Sequence, residues 1–215
     1  MDQSKIILAI GRQFGSGGRE IGQKLAKAFG IGYYDKELIT EAAKESGLCE
    51  DIFERADERA NHALSYAFTM GYSSFIGMFT PANDILSNDT LFKIQSDTIR
   101  NIADKGSCVL VGRCADYILR DDPACLSVFI SNTIETRIQK IVERMGVTVE
   151  QAKELMTKND KSRAAYYNYY TNKTWGMASS YNLCVDASIL GIDGTVDFIK
   201  RFVDQKLEQR PPHFG

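Results

Sequence analysis

The segment from residue 5 to 25 constrains the fold most, because a short apolar run leads directly into a glycine-rich turn and then a helical pattern. Residues 6–10 are apolar in succession, which is typical of a parallel strand covered on both faces. A glycine turn at a helix N-terminus points backbone N–H groups and the positive end of the helix dipole at one place. The pattern therefore indicates a phosphate site, unless the glycines serve backbone geometry alone. The turn and its entry into the helix consist of Gly15, Ser16, Gly17, Gly18, Arg19 and Glu20.

This turn lacks the lysine of the phosphate-loop pattern G-x-x-x-x-G-K-[ST]. With the sixth position on Gly17, Gly18 stands where lysine belongs, and Arg19 stands where the magnesium-binding hydroxyl belongs. Arg19 could replace the lysine with a bidentate guanidinium, or it could be a solvated surface arginine. Arg12 also flanks the turn but could equally be a surface charge. Glu20 is interpreted as structural, or at most as an outer ligand of magnesium.

Length, charge and cysteine distribution narrow the class of protein. A chain of 215 residues fits one α/β domain with a small insertion or lid. A formal net charge of -2 gives no general attraction to nucleic acid or to an anionic membrane, so local basic clusters have to recognise phosphate. The cysteines form no C-x-x-C pair, and neither histidine, His62 or His213, supports a metal site. The first apolar run is too short for a signal-peptide core, so we expect a cytoplasmic protein without a membrane segment or a nucleic-acid polymer as partner.

Apolar runs alternate with helical patterns along the chain, which predicts a parallel sheet with helices on both faces. Beyond the first strand and helix, the pattern predicts strands at 32–34, 108–112, 126–130 and 182–186, and helices at 36–70, 90–104, 134–145, 149–169 and around 196–202. The polar stretch 83–89 is expected to interrupt the chain before the helix at 90–104. We predict one domain over 1–215, with a helical insertion within 36–104 and a lid-like region at 146–180. The Met- and aromatic-rich stretch 64–79 is predicted to be core or a homodimer contact.

Two polar residues follow predicted strands directly, at the edge where parallel sheets bind ligands. Arg113 suits a phosphate oxyanion, unless it pairs with a neighbouring carboxylate such as Asp116. Asp35 could accept hydrogen bonds from a ribose or a base, or it could cap the helix that follows.

Basic residues are also dense in the region predicted as a lid. Arg137, with Lys140 and Arg144, lies on the polar side of the predicted helix 134–145, opposite an apolar stripe. The charged run 158–163, which contains Arg163, is usually a solvated helix face, although a phosphoryl-transfer enzyme needs such cations over the transferring group. Four tyrosines follow within 166–170, and we favour packing of the lid against the body over stacking on a base.

In their order along the chain, these motifs resemble those of the cytidylate kinase-like family, phosphate-loop proteins related to nucleoside monophosphate kinases. The segments that carry the resemblance are 15–22, 33–35, 111–113, 158–170 and 186–188. It implies a P-loop NTPase-like three-layer α/β/α fold with a five-stranded parallel sheet. It also implies ATP-dependent phosphoryl transfer to a nucleoside monophosphate, with CMP or dCMP favoured, and Mg²⁺ as the accompanying ion without a predicted set of protein ligands.

The resemblance assigns roles to individual residues. Positions 15–20 would hold the ATP phosphates, Asp186 and Ser188 would border the adenine, and Asp35 and Arg113 would face the acceptor. Arg19, Arg137 and Arg163 would neutralise the transferring phosphoryl group.

The chain also departs from the family pattern. Orthodox members have the loop lysine and carry aspartates on both sides of the Gly-Arg pair, where this chain has Val111 and Cys114. A kinase for another small metabolite, or a nucleotide-binding regulatory protein with impaired catalysis, is therefore the alternative.

Overall fold

Five parallel strands form one sheet in the computed structural model, which describes residues 5–45 and 83–209. The strands are Ile7–Arg12 (β1), Gly32–Tyr34 (β2), Cys108–Val111 (β3), Cys125–Ser131 (β4) and Leu183–Asp186 (β5). Their spatial order is β2-β3-β1-β4-β5, so β1 is central, as predicted. Alternate side chains of β1 enter two different apolar clusters, Leu8 on one face and Ile7 on the other. Burial of both faces explains why this strand is apolar throughout.

Helices cover both faces of the sheet and complete the predicted three-layer α/β/α fold. They are Gly18–Phe29 (α1), Lys36–Glu45 (α2), Asn83–Asp104 (α3), Ala115–Ile118 (α4), Ile134–Met145 (α5), Val149–Thr171 (α6) and Ala187–Glu208 (α7). Leu25 of α1 and Ile199 of α7 pack on one face of the sheet. Ile39 of α2, Ile99 of α3 and Ile118 of α4 pack on the other.

The polar stretch 83–89 does not interrupt the chain, because it forms the first turns of α3. It contains neither glycine nor proline, and polar residues do not by themselves end a helix. The predicted helix at 90–104 was therefore too short. The predicted helix 134–145 is confirmed with its exact bounds.

Some predictions fall outside the described residues. These are the structure of 46–82, including His62 and the stretch 64–79, and that of the tail with His213. Within the described ranges, no helix combines the length and the apolar character needed to cross a bilayer.

Candidate active site

The glycine turn joins β1 to α1 at the carboxyl edge of the sheet. Gly15 and Gly17 have φ angles of 78° and 87°, a left-handed conformation that favours glycine. A methyl group at Gly15 would also lie 2.8 Å from the carbonyl oxygen of Arg137. Ser16 is fully buried, and its Oγ accepts a hydrogen bond of 3.3 Å from the backbone N–H of Gly18. The turn therefore has a fixed shape that depends on its glycines.

Helix α6 holds the segment that enters this turn. Asp160 Oδ1 accepts a hydrogen bond of 2.8 Å from the Phe14 N–H, and Arg163 Nη1 donates one of 2.9 Å to the Arg12 carbonyl oxygen. Arg137 Nε donates to the Phe14 carbonyl oxygen over 2.7 Å, and its guanidinium pairs with Asp160. These contacts join α5, α6 and the turn into one hydrogen-bonded unit.

Arg137 is buried, at 4 % exposure, although the helical pattern predicts it on the polar side of α5. Ile134, assigned to the apolar stripe, is instead 56 % exposed. Arg137 can be buried because residues from other parts of the chain contact its guanidinium. Asp160 supplies the opposite charge, and the carbonyl oxygen of Phe14 accepts a hydrogen bond. Arg137 therefore supports the turn from beneath and does not line the cavity described next.

A cavity of about 900 Å³ opens above the turn, between the ends of β1 and β3, the start of α2, and helices α5 and α6. Most of the predicted site residues line it: Gly15, Gly17, Gly18, Arg19, Glu20, Asp35, Arg113 and Arg163. Seven basic side chains line it in all: Arg12, Arg19, Lys36, Arg113, Lys140, Arg144 and Arg163. They outnumber the acidic side chains on its wall, so the cavity favours an anionic ligand.

Arg12 and Arg163 are half-buried basic residues of the cavity wall. Burial and the nearby positive charge of Arg113 lower the pKa of Arg12 to about 10, while Tyr33, Asp35 and Glu37 oppose the shift. Burial likewise lowers the pKa of Arg163 to about 9, with Arg12 as the next cause. Phe14 lies between Arg144 and Arg163, whose guanidinium carbons are 5.3 Å and 5.5 Å from its ring centre. Cations that repel one another in this way are stabilised by a bound anion.

The opposite side of the cavity is built around Asp35, which the structure places in both of the environments that the sequence allows. It caps α2, where its Oδ1 accepts from the Leu38 N–H over 3.4 Å, and it lines the cavity. Arg19 Nη2 lies 2.8 Å from Asp35 Oδ2 and 3.7 Å from Glu37 Oε2. Burial alone would raise the pKa of Asp35, but Glu37, the Leu38 N–H and Arg19 together lower it. Arg19 is therefore directed at these carboxylates and links α1 to α2.

Lys36 adds a titratable cation to this side. Burial lowers its pKa from 10.5 to about 8, and the positive charges of Arg113, Arg12 and Arg163 act in the same direction, while Glu37 opposes them.

The end of β3 has an unusual backbone. Gly112, Arg113 and Cys114 have consecutive positive φ angles of 84°, 59° and 55°. Left-handed conformations at non-glycine residues are strained and concentrate at functional sites. Arg113 lies with its guanidinium carbon 5.7 Å from the Tyr166 ring centre. Asp116, the alternative partner considered for Arg113, accepts a hydrogen bond of 2.7 Å from the Tyr167 hydroxyl.

Three of the four tyrosines at 166–170, Tyr166, Tyr167 and Tyr170, pack against other elements, whereas Tyr169 is 64 % exposed. Tyr170 stacks on Phe92 of α3 with ring centres 4.0 Å apart, and Tyr166 meets the same ring edge-on at 6.2 Å. The Tyr166 hydroxyl also donates to Gln95 over 3.1 Å.

Three more predicted site residues, Ser16, Asp186 and Ser188, do not line the cavity. Ser16 is buried beneath the turn. Asp186 is exposed and caps α7, where its Oδ1 accepts from the Ser188 N–H over 2.9 Å. The loop 186–188 therefore caps α7, and its place beside the adenine stays a prediction.

The residues present fit a polyphosphate better than a metal held by the protein alone. The described residues contain no group of three or more histidine, cysteine, aspartate or glutamate side chains arranged to hold a metal. Asp35 and Glu37 contact Arg19, and Glu20 lies 3.3 Å from Lys24 Nζ. A magnesium ion that arrives on nucleotide phosphates would not need such a group.

The fold and sequence of this chain resemble those of several known proteins. A cytidylate kinase from Methanopyrus kandleri is 23 % identical over 96 % of this chain and 97 % of its own length. A solved structure of an uncharacterized protein from Eubacterium ventriosum is 32 % identical, with a TM-score of 0.70 over 93 % of this chain and 99 % of that one. Shikimate kinase from Bacteroides thetaiotaomicron shares the fold, at 11 % identity and a TM-score of 0.52 over 94 % of this chain and 99 % of its own.

The family comparison covers most of the sequence and supports a kinase role. The model of the cytidylate kinase-like family matches residues 7–189, which include the glycine turn, the cavity wall and α6. The chain belongs to the cytidylate kinase-like family.

Proposed function

We propose that this protein transfers the γ-phosphoryl group of ATP to a nucleoside monophosphate, with CMP and dCMP as the favoured acceptors. The observation that carries the proposal is the single cavity that joins the glycine turn to the side formed by Asp35 and Arg113. A phosphoryl-transfer enzyme needs both substrates in one space so that the attacking and leaving oxygens align.

The donor side is formed by the turn, the N-terminus of α1 and the cations of α5 and α6. The backbone N–H groups at positions 15–19 would bind the triphosphate, with the helix dipole adding to their attraction. Arg163, Lys140 and Arg144 line the same part of the cavity and would neutralise the transferring group. ATP would supply the phosphoryl group, and Mg²⁺ on its phosphates would offset part of the charge.

The acceptor side is formed by Asp35, Lys36 and Arg113. Lys36 and Arg113 would bind the acceptor phosphate, and Asp35 would accept a hydrogen bond from the nucleoside while Arg19 holds its carboxylate in place. The helical insertion within 36–104 would cover this side, and the lid-like region 146–180 would cover the donor side. Arg137 contributes by holding the turn, since its guanidinium is committed to Phe14 and Asp160.

The charge of the cavity favours a monophosphate over a neutral acceptor. At neutral pH a phosphate monoester already carries an anionic oxygen, because its second pKa is about 6. Such a nucleophile needs no general base, only cations to reduce its repulsion from ATP. The basic residues around this cavity suit that requirement.

The test is release of ADP with a panel of nucleoside monophosphates, with the product identified by mass spectrometry. We expect turnover with at least one member, highest with CMP or dCMP. ATP binding without turnover of any monophosphate would refute the proposal. Turnover of non-nucleotide acceptors alone would favour the small-metabolite kinase, and binding without any turnover would favour a regulatory role.

A further inference from the structure

The lysine absent from the turn leaves a space that another side chain fills. If the sixth position of the phosphate-loop pattern is Gly17, its first position, ordinarily glycine, is Arg12. A methyl group at Gly18, where the lysine side chain would begin, would lie 2.6 Å from Cβ and 3.0 Å from Cγ of Arg12. Atoms cannot approach that closely without displacement, so Arg12 and a lysine at position 18 exclude each other in this conformation.

A second glycine accommodates the other end of the same side chain. Gly112, at the end of β3, has a φ of 84°, and a methyl group there would overlap the Arg12 guanidinium. Arg12 therefore crosses from the end of β1, over the start of α1, to the end of β3. Its guanidinium lies against Gly112, and Arg12 lines the cavity there.

No described residue neutralises the positive charge of the Arg12 guanidinium by direct contact. Across residues 5–45 and 83–209 the Arg12 side chain has no hydrogen-bond partner and no carboxylate within ion-pair distance, and Asp35 and Glu37 act on its charge only from further away. Arg19, in contrast, contacts Asp35 and Glu37, and its side chain is 59 % exposed. A partly buried arginine that faces a cavity and has no carboxylate in direct contact is suited to an anionic ligand.

We infer that Arg12 takes the place of the missing lysine and binds the phosphates of the donor nucleotide. This inference deepens the proposed function and rests on it for the identity of the donor as ATP. Lys140 is the rival, because its Nζ would lie 3.1 Å from a methyl group at Gly17. Arg12 is preferred because both glycines that face it, Gly18 and Gly112, leave room for its side chain, whereas Lys140 reaches the turn from α5.

The first measurement is calorimetric binding of ATP and of inorganic tripolyphosphate to the full chain. Arg12→Met keeps most of the stem and removes the charge, so we expect both affinities to fall about 10- to 100-fold. Arg201→Ala removes an exposed arginine of α7 outside the cavity and is the matched control, which should bind as the unmodified protein does. Unchanged tripolyphosphate affinity in Arg12→Met, or a loss confined to Lys140→Met, would overturn the inference.

The second measurement is rescue. Gly18→Lys alone should bind poorly, because the new side chain meets Arg12, whereas Arg12→Ala together with Gly18→Lys should regain most of the lost affinity. Circular dichroism establishes that each variant is folded. If Arg12→Met does not fold, Arg12→Lys replaces it and should show a smaller loss, since it keeps the charge without the fork of donors. Failure of the double variant to improve on folded Gly18→Lys would overturn the inference.

These outcomes separate the two proposals. Loss of ATP binding in Arg12→Met without turnover of any monophosphate by the unmodified protein would leave the Arg12 inference standing and refute the proposed acceptor. Turnover of CMP by the unmodified protein, with unchanged ATP binding in Arg12→Met, would support the proposed acceptor and refute the Arg12 inference.

Discussion

Arg19 and Asp35 form an ion pair that links the first turn of α1 to the start of α2, with Nη2 and Oδ2 2.8 Å apart. The arginine side chain is 59 % exposed and the aspartate side chain 4 %, so the pair lies where the buried acceptor side meets solvent. We therefore propose that Arg19 acts differently from a loop lysine, because its charge stabilises a carboxylate that the acceptor would contact.

Replacing Arg19 should therefore affect the acceptor more than ATP. In Arg19→Ala we expect kcat/KM for the acceptor to fall about 10- to 100-fold, the worth of a charge-assisted hydrogen bond. ATP affinity should change little, which calorimetry can check. Arg19→Lys, which keeps the charge, should lose less; a loss confined to ATP binding would contradict the assignment.

The Arg137–Asp160 pair should contribute strongly to stability. Its side chains are 5 % and 19 % exposed, so Asp160→Asn leaves a buried guanidinium without its counter-charge. We expect the free energy of unfolding in urea to fall by about 3–5 kcal/mol. The double variant Arg137→Met with Asp160→Leu should lose less than the sum of the single changes, since no charge remains buried. A loss of about 1 kcal/mol or less in Asp160→Asn, as for a surface pair, would refute this.

Lys36 should make acceptor binding depend on pH. Its pKa in the folded protein is about 8, against an ordinary 10.5, so above pH 8 the folded protein loses a cation that the unfolded chain keeps. Stability of the ligand-free protein should rise between pH 8 and 10.5, because the unfolded state then binds more protons. Affinity for CMP should fall over the same range, since an anion binds the protonated form.

Titration calorimetry of CMP as a function of pH checks the binding half of this prediction. Lys36→Arg keeps its charge throughout and should remove most of the decrease, whereas Lys36→Met should bind weakly at every pH. If CMP affinity depends on pH in Lys36→Arg as it does in the unmodified protein, another group causes the dependence.

Gly112→Ala, compared with a control glycine, should separate the effect of backbone strain from the effect of crowding the Arg12 guanidinium. The left-handed φ alone should cost about 1–2 kcal/mol of stability, and displacement of the Arg12 guanidinium should also weaken tripolyphosphate binding. Gly146→Ala is the matched control, because Gly146 also has a positive φ, 65°, but a methyl group there would meet nothing within 4 Å. It should lose stability in thermal unfolding and keep its affinity. Equal loss of affinity in the two variants would contradict the crowding argument.

The sheet and the position of the turn could be predicted from the sequence because buried parallel strands are continuous apolar runs. The order of motifs also predicted the family. The start of α3 was not predictable from polarity, since the stretch 83–89 contains no residue that ends a helix.

Within the candidate site, the positions of side chains could not be predicted where they depend on residues from other parts of the chain. The burial of Arg137 depends on Asp160, which is 23 residues further along the chain. The position of Arg12 depends on Gly18 and Gly112, which approach it only after the sheet forms. A signal for Arg12 was present in the pattern, because an arginine occupies its first position while the lysine position is glycine.

The hydrogen bonds from α6 to Phe14 and Arg12 have a mechanical consequence. The same helix stacks Tyr170 on Phe92 of α3, so α6 connects the backbone that leads into the glycine turn with α3. A hinged lid that closes over a stationary loop would have to break those backbone contacts. The contacts therefore couple any movement of the backbone at Arg12 and Phe14 to α6, and through the stacked rings of Tyr170 and Phe92 to α3.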